Sequence, residues 1–172
     1  RVDPRRHLHP DGDPPSAALR LHLLRRAAEA SLDADTPETA KLPEDSLSAL
    51  NSEEPIAPAS CPTAKCLTVY VAPWCPHCRN ASVNILSVKK YLDENGVETR
   101  IIVGDDGEGE VAKYAEFFGK GTLMDPGKSF KFSGGVPHFF VSEDGGRILK
   151  ESSGFPAEPT EPAELAARFD LP

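Results

Sequence analysis

Val71-Ala72-Pro73-Trp74-Cys75-Pro76-His77-Cys78 joins the end of an apolar run to the start of a helical pattern, with two cysteines at the junction. Upstream, Leu67-Thr68-Val69-Tyr70-Val71-Ala72 is short, apolar and rich in β-branched and aromatic residues, the composition of a buried strand. Downstream, Val83, Ile85, Leu86, Val88 and Leu92 recur at mixed three- and four-residue spacing, which predicts a helix from about Pro76 to Asn95 closed by Gly96. Val97 to Val103 reads as a second strand. The result is a strand–helix–strand unit with a right-handed crossover.

Two cysteines at i and i+3 on a first helical turn come close enough to form a disulfide. With Cys75 at the N-cap and Pro76 in the first helical position, the Cys75 sulfur lies beside unpaired N–H groups and the positive end of the helix dipole. His77 shares that turn. Both features favour the thiolate and predict a Cys75 pKa below the ~8.5 of a free cysteine, with Cys75 exposed and Cys78 buried behind it as the resolving thiol. A low nucleophile pKa stabilises the reduced form and makes the disulfide the stronger oxidant.

The other two cysteines, Cys61 and Cys66, precede the first strand, so that all four fall within one short stretch. Such clustering argues for a local site over a disulfide framework spread through a small fold. A small structural disulfide is the favoured reading of Cys61 and Cys66; relay of oxidising equivalents to Cys75, or two free thiols, are the alternatives. A four-thiolate zinc site is the rival for the set. The intervening strand and the Trp-Cys-Pro-His-Cys chemistry speak against it, and no metal ligands are assigned.

The chain has 172 residues and a formal net charge of −8, with 17 prolines. One core with appended non-regular segments fits that length and proline content. The acidic balance disfavours nucleic acid or an anionic membrane as partner. No apolar run approaches the ~20 residues of a membrane-spanning helix. The chain opens at Arg1 with neither Met nor an apolar leader, as a mature or trimmed product would.

Residues 1–15 read as an extended lead-in, 16–31 as an amphipathic N-terminal helix, and 32–60 as an acidic Pro-rich linker crossing the surface, with a helical turn or two at Asp45 to Leu50. The folded domain is expected over 61–172. After the acidic loop Gly104 to Gly109, Glu110 to Phe118 predicts a helix and Lys120 to Gly135 a loop. Val136 to Val141 and Arg147 to Glu151 predict a β-hairpin, and Glu161 to Phe169 a last helix. The order specifies an α/β fold: a mixed sheet of about four strands with helices on both faces. His138 could face either the cysteines or the core, and Phe139 and Phe140 should lie on opposite faces.

Trp74-Cys75-Pro76-His77-Cys78 after an apolar strand, with Val136-Pro137 some sixty residues later, resembles the thioredoxin-fold superfamily. Cys-Pro-His-Cys with Val before the proline is similar to DsbA-type thiol oxidases. The overall layout is closer to minimal thioredoxin or glutaredoxin, because about thirty residues separate Val103 from Val136. The resemblance, over roughly Cys61 to Leu171, implies a three-layer α/β/α sandwich. It also implies a cis Pro137 facing the cysteines, with Val136 and Trp74 meeting substrate. It further implies a buried acid beneath Cys78, whereas Leu67 to Ala72 offers only Thr68 and Tyr70.

The function expected is exchange of disulfides with protein thiols, in the oxidase or isomerase direction. Cys75, Cys78, His77 and Pro76 form the catalytic set. No cofactor is expected beyond the Cys75–Cys78 disulfide. The partners would be proteins bearing thiols or disulfides and a membrane or soluble redox partner, in an extracytoplasmic compartment. A thioredoxin- or glutaredoxin-like reductase, or a non-enzymatic interaction module with a structural disulfide, are the alternatives.

Overall fold

The computed structural model describes residues 40–172. The expected lead-in, the N-terminal helix and the linker as far as residue 39 lie outside the described residues. The described chain runs β1 (Ser48–Ala49), β2 (Cys66–Val71), α1 (Pro76–Glu94), β3 (Glu98–Gly104), α2 (Glu108–Phe118), β4 (Leu123–Asp125), β5 (His138–Ser142), β6 (Ile148–Ser153) and α3 (Pro162–Arg168), with a 3₁₀ turn over Asp144–Gly146 between β5 and β6.

The strands form one mixed sheet in the order β1-β4-β3-β2-β5-β6. β2, β3 and β4 are parallel, while β5 pairs antiparallel with β2, β6 with β5, and β1 with β4. The sheet therefore has six strands where about four were expected. The two extra ones are β1 and β4, of two and three residues. Neither is long enough to show a two-residue period, and each exists through its partner: Leu123 to Asp125 lies alongside Ile102 to Gly104, and Ser48–Ala49 pairs with Leu123–Met124. The helical turn expected near Asp45 to Leu50 is this edge strand, with Leu47 and Ala49 buried and Ser48 exposed.

Side-chain alternation divides the core in two. Leu67, Val69 and Val71 of β2, Ile101 and Val103 of β3, and Phe139 and Val141 of β5 share a cluster with Ile85, Val88 and Leu92 of α1, Val111 and Ala115 of α2, and Leu165 and Phe169 of α3. Tyr70, Ile102, Leu123 and Phe140 point the other way, onto Leu42, Leu47, Ala49, Ala59 and Phe130. Among the described residues all three helices thus share one face. Extended chain from 42 to 59 and the loop after β4 cover the other.

That covering segment displaces the boundary expected at Cys61, because residues 40–60 belong to the compact unit. Closely spaced prolines exclude a long element but not burial. Leu42 and Ala59 are buried, Leu42 N–H donates to Gly146 O at 2.8 Å, and Ala59 N–H to Pro43 O at 2.9 Å. Arg100 of β3 clamps the segment from below, its Nη1 donating to the carbonyls of Ala57, Pro58 and Ser60.

On the same face the Tyr70 hydroxyl donates to Asp125 Oδ2 at 2.9 Å. Asp125 also accepts from Ser129 N and Oγ and from Phe130 N, so this buried carboxylate is fully satisfied. Gly104 makes the contact possible: a Cβ there would stand 2.1 Å from the Tyr70 oxygen.

Candidate active site

The site forms where β2 ends and α1 begins. Cys75 occupies the N-cap of α1 with extended backbone (φ −83°, ψ 115°), and Pro76 opens the helix, where a missing N–H costs nothing. The Cys78 N–H donates to Cys75 Sγ at 3.4 Å, so sulfur takes the place that a hydroxyl or carboxylate usually fills at a helix start. Cys75 and Cys78 are both free thiols.

Cys75 is 3% exposed, which corrects the expectation that it would be exposed. The segment before β5 comes down over it: the Val136–Pro137 peptide is cis, and Cys75 Sγ donates to Val136 O at 3.3 Å. Cys78 has no exposed surface, and burial pushes its thiol well above the ordinary range. β5 itself starts at His138, so Val136 and Pro137 stand just ahead of the strand they were expected to open.

Trp74 is half exposed beside the dithiol, its Nε1 donating to Asp105 O at 2.8 Å. Asp105 is in turn paired with Lys128 at 3.1 Å, so the indole rests on a braced loop. His77 is exposed on the first turn of α1, and no hydrogen bond joins its ring to either sulfur.

Cys61 and Cys66 form a disulfide with Cα atoms 5.8 Å apart. Cys66 starts β2, whereas Cys75 follows its far end. At about 3.3 Å per strand residue, the two cysteine pairs are separated by the length of the strand. Direct relay to Cys75 and convergence of four thiolates on one ion are both incompatible with that placement.

No acid lies on β2 beneath Cys78. Thr68 and Tyr70, the two polar residues of the strand, face the opposite side of the sheet from Cys78, which packs with Val69 and Val71. The polar group that does reach Cys78 comes from the helices. Ser82 Oγ donates to Cys78 O at 2.9 Å and lies 2.7 Å from the Tyr114 hydroxyl of α2, which is left to donate to Ser82. Burial pushes Tyr114 up to about 12. The helix predicted over Glu110 to Phe118 contains Tyr114, but its pattern carries no sign of this pairing.

No family model matches the sequence, and no curated protein matches it. Solved structures do. A thiol:disulfide interchange protein from Chlorobium tepidum aligns over 76% of this chain and 94% of its own, at 19% identity and a TM-score of 0.54. A secreted disulfide oxidoreductase of Mycobacterium tuberculosis, homologous to E. coli DsbE, aligns over 74% and 95%, at 19% identity and 0.53. For a putative thioredoxin from Neisseria meningitidis the figures are 76% and 89%, 18% and 0.57.

The chain has the thioredoxin fold. Within that fold the dithiol, the cis-proline segment and Trp74 come together, whereas Cys61 and Cys66 do not join them. His138, the residue whose direction the sequence left open, points away from the cysteines, stacked on Phe132 and Phe140 at 4.8 and 4.6 Å between ring centres.

Proposed function

We propose that this chain is a thiol–disulfide oxidoreductase acting on protein thiols and disulfides. The observation that carries the reading is the placement of Cys75: its sulfur accepts an N–H at a helix start and contacts the carbonyl that precedes cis Pro137. A helix N-terminus favours negative charge on that sulfur, and the half-buried Val136 segment just ahead of β5 lies over it, where an incoming peptide would meet both. In the oxidising direction a substrate thiolate attacks Cys75 of the Cys75–Cys78 disulfide. A mixed disulfide forms at Cys75, and Cys78 departs as a thiolate that takes up a proton. A second substrate thiolate then releases the product disulfide and leaves Cys75 reduced. The electron pair ends on the two cysteines, and no cofactor enters the cycle.

The Pro-His pair between the cysteines supports the oxidase or isomerase direction, with Pro76 and His77 in supporting roles and Trp74, Val136 and Pro137 meeting substrate. The Cys61–Cys66 disulfide supports an oxidising, extracytoplasmic compartment, as do structural neighbours that include a secreted protein. Recycling of the site then falls to a membrane or soluble redox partner.

Two measurements test this. Cys75→Ser should abolish oxidation of a reduced dithiol peptide, and full retention would refute the assignment. A reduction potential near ~−120 mV would confirm an oxidase, and one near ~−270 mV would assign the chain to the reductases.

A further inference from the structure

Three consecutive carbonyls carry the segment that faces Cys75, and each has its own partner. Val136 O accepts from Cys75 Sγ at 3.3 Å, Pro137 O accepts the Gly154 N–H at 2.8 Å, and Gly135 O faces His138 Nδ1 at 3.2 Å. A carbonyl only accepts, so Nδ1 must carry the hydrogen. In a neutral ring this leaves the lone pair on Nε2, which is buried without a hydrogen-bond partner and points at Glu151 Oε2, 3.5 Å away on β6. Both ring nitrogens therefore look at acceptors. Only the imidazolium satisfies the two sides at once, as donor to Gly135 and as ion-pair partner of Glu151.

The surroundings hold the ring in that orientation. It is 4% exposed, packs against both Phe132 and Phe140, and abuts Gly134, where a Cβ would stand 3.2 Å from Cε1 and φ is +109°. Among the described residues, the charged groups on this side are few. Glu151 comes from β6, Lys128 lies 5.6 Å over the Phe132 ring, and Lys41 and Lys131 line the cavity that Glu151 borders. Tyr70, opposite His138 on β2, is occupied with Asp125.

We propose that His138 is a positioning residue of the dithiol site. Protonated, it braces the Gly135 carbonyl against Glu151 and so fixes the Val136 carbonyl over Cys75. In a neutral ring the Glu151 arm of the brace is absent, because Nε2 then carries only a lone pair. The proposal rests on the thiol-exchange reading for its effect on turnover, but its geometry can be measured without turnover.

The test is Glu151→Gln, which removes the charge at a half-exposed position while keeping shape, with His138→Phe as a second variant that keeps the aromatic packing. In steady-state oxidation of a dithiol peptide, the KM of E151Q should exceed that of the wild type about fivefold at about pH 5.5, the upper size for a partly exposed ion pair. At about pH 8.5 the two should coincide, with kcat unchanged throughout. A KM ratio that is the same at both pH values overturns the brace.

Ring ¹⁵N shifts of the reduced chain, assigned with H138F, give the second readout. Nδ1 protonated at high pH supports the proposal, and Nε2 protonated there refutes it. If the wild type exchanges no disulfides, the functional proposal fails, and the ring shifts still decide the brace.

Discussion

Cys78 is a buried acid whose proton the folded state retains, and this gives the reduced protein an alkali sensitivity that the disulfide form lacks. In an unfolded chain a cysteine ionises near ~8.5, whereas burial holds the folded Cys78 thiol well above that. Between the two values the unfolded state binds fewer protons than the native state, so stability falls as pH rises. It is fully present below ~8.5 and drains at up to ~1.4 kcal/mol per pH unit. From about pH 8.5 to about pH 10 the loss approaches ~2 kcal/mol, a sizeable part of a domain's ~5–15 kcal/mol. Above ~10 the slope steepens, because Tyr114 is pushed up to about 12 and Tyr70 is also raised, both chiefly by burial. Urea denaturation of Cys75→Ser isolates Cys78, with Cys75→Ser/Cys78→Ala as the reference. The stability difference between the two should be flat below about pH 8 and fall over the next units. A difference that stays flat to about pH 10, or thiolate absorbance appearing below about pH 9, would refute a proton-retaining Cys78.

Replacing both Cys61 and Cys66 with Ala should cost about 2 kcal/mol by loop closure over so short a loop, read from urea midpoints. Peptide oxidation should be untouched, since the pair sits at the other end of β2. Tyr70→Phe removes a donor to a buried carboxylate and should cost about 1.5–3 kcal/mol in the same assay. Gly104→Ala should destabilise through the same contact, and its effect should shrink in a Tyr70→Phe background, because the added Cβ meets the Tyr70 hydroxyl first. Tyr114→Phe keeps the edge-to-face packing on Phe118 and should lose about 1 kcal/mol, measured by urea unfolding of the reduced form.

The dithiol was legible in sequence because three local signals coincide there. The hydrophobic period changes from strand to helix, a proline marks the first helical position, and two cysteines stand one turn apart. Val136-Pro137 was legible for a similar reason, as a proline standing where a strand pattern begins. What stayed hidden depends on residues far apart in the chain. Asp125 is satisfied by Tyr70, 55 positions away, and Ser82 by Tyr114, 32 away, and neither spacing has a periodic signature. The carbonyls that Arg100 clamps lie some forty residues earlier in the chain, again with no local signature. The exposure of Cys75 was misjudged because local sequence places it at a helix start but says nothing of the Val136 segment that descends on it. His138 was within reach: residues alternate along β5, so it shares a face with Phe140, and only the choice of which face holds the cysteines needed the fold.

Trp74 is the chain's single tryptophan, half exposed and adjacent to Cys75, with its indole N–H tethered to Asp105. All indole emission therefore originates from the residue next to the cysteine whose oxidation state is in question. A disulfide quenches a neighbouring indole by electron transfer, so the unlabelled protein is its own optical redox probe. Its intensity tracks thiol and disulfide at the site, while far-ultraviolet dichroism follows the fold independently.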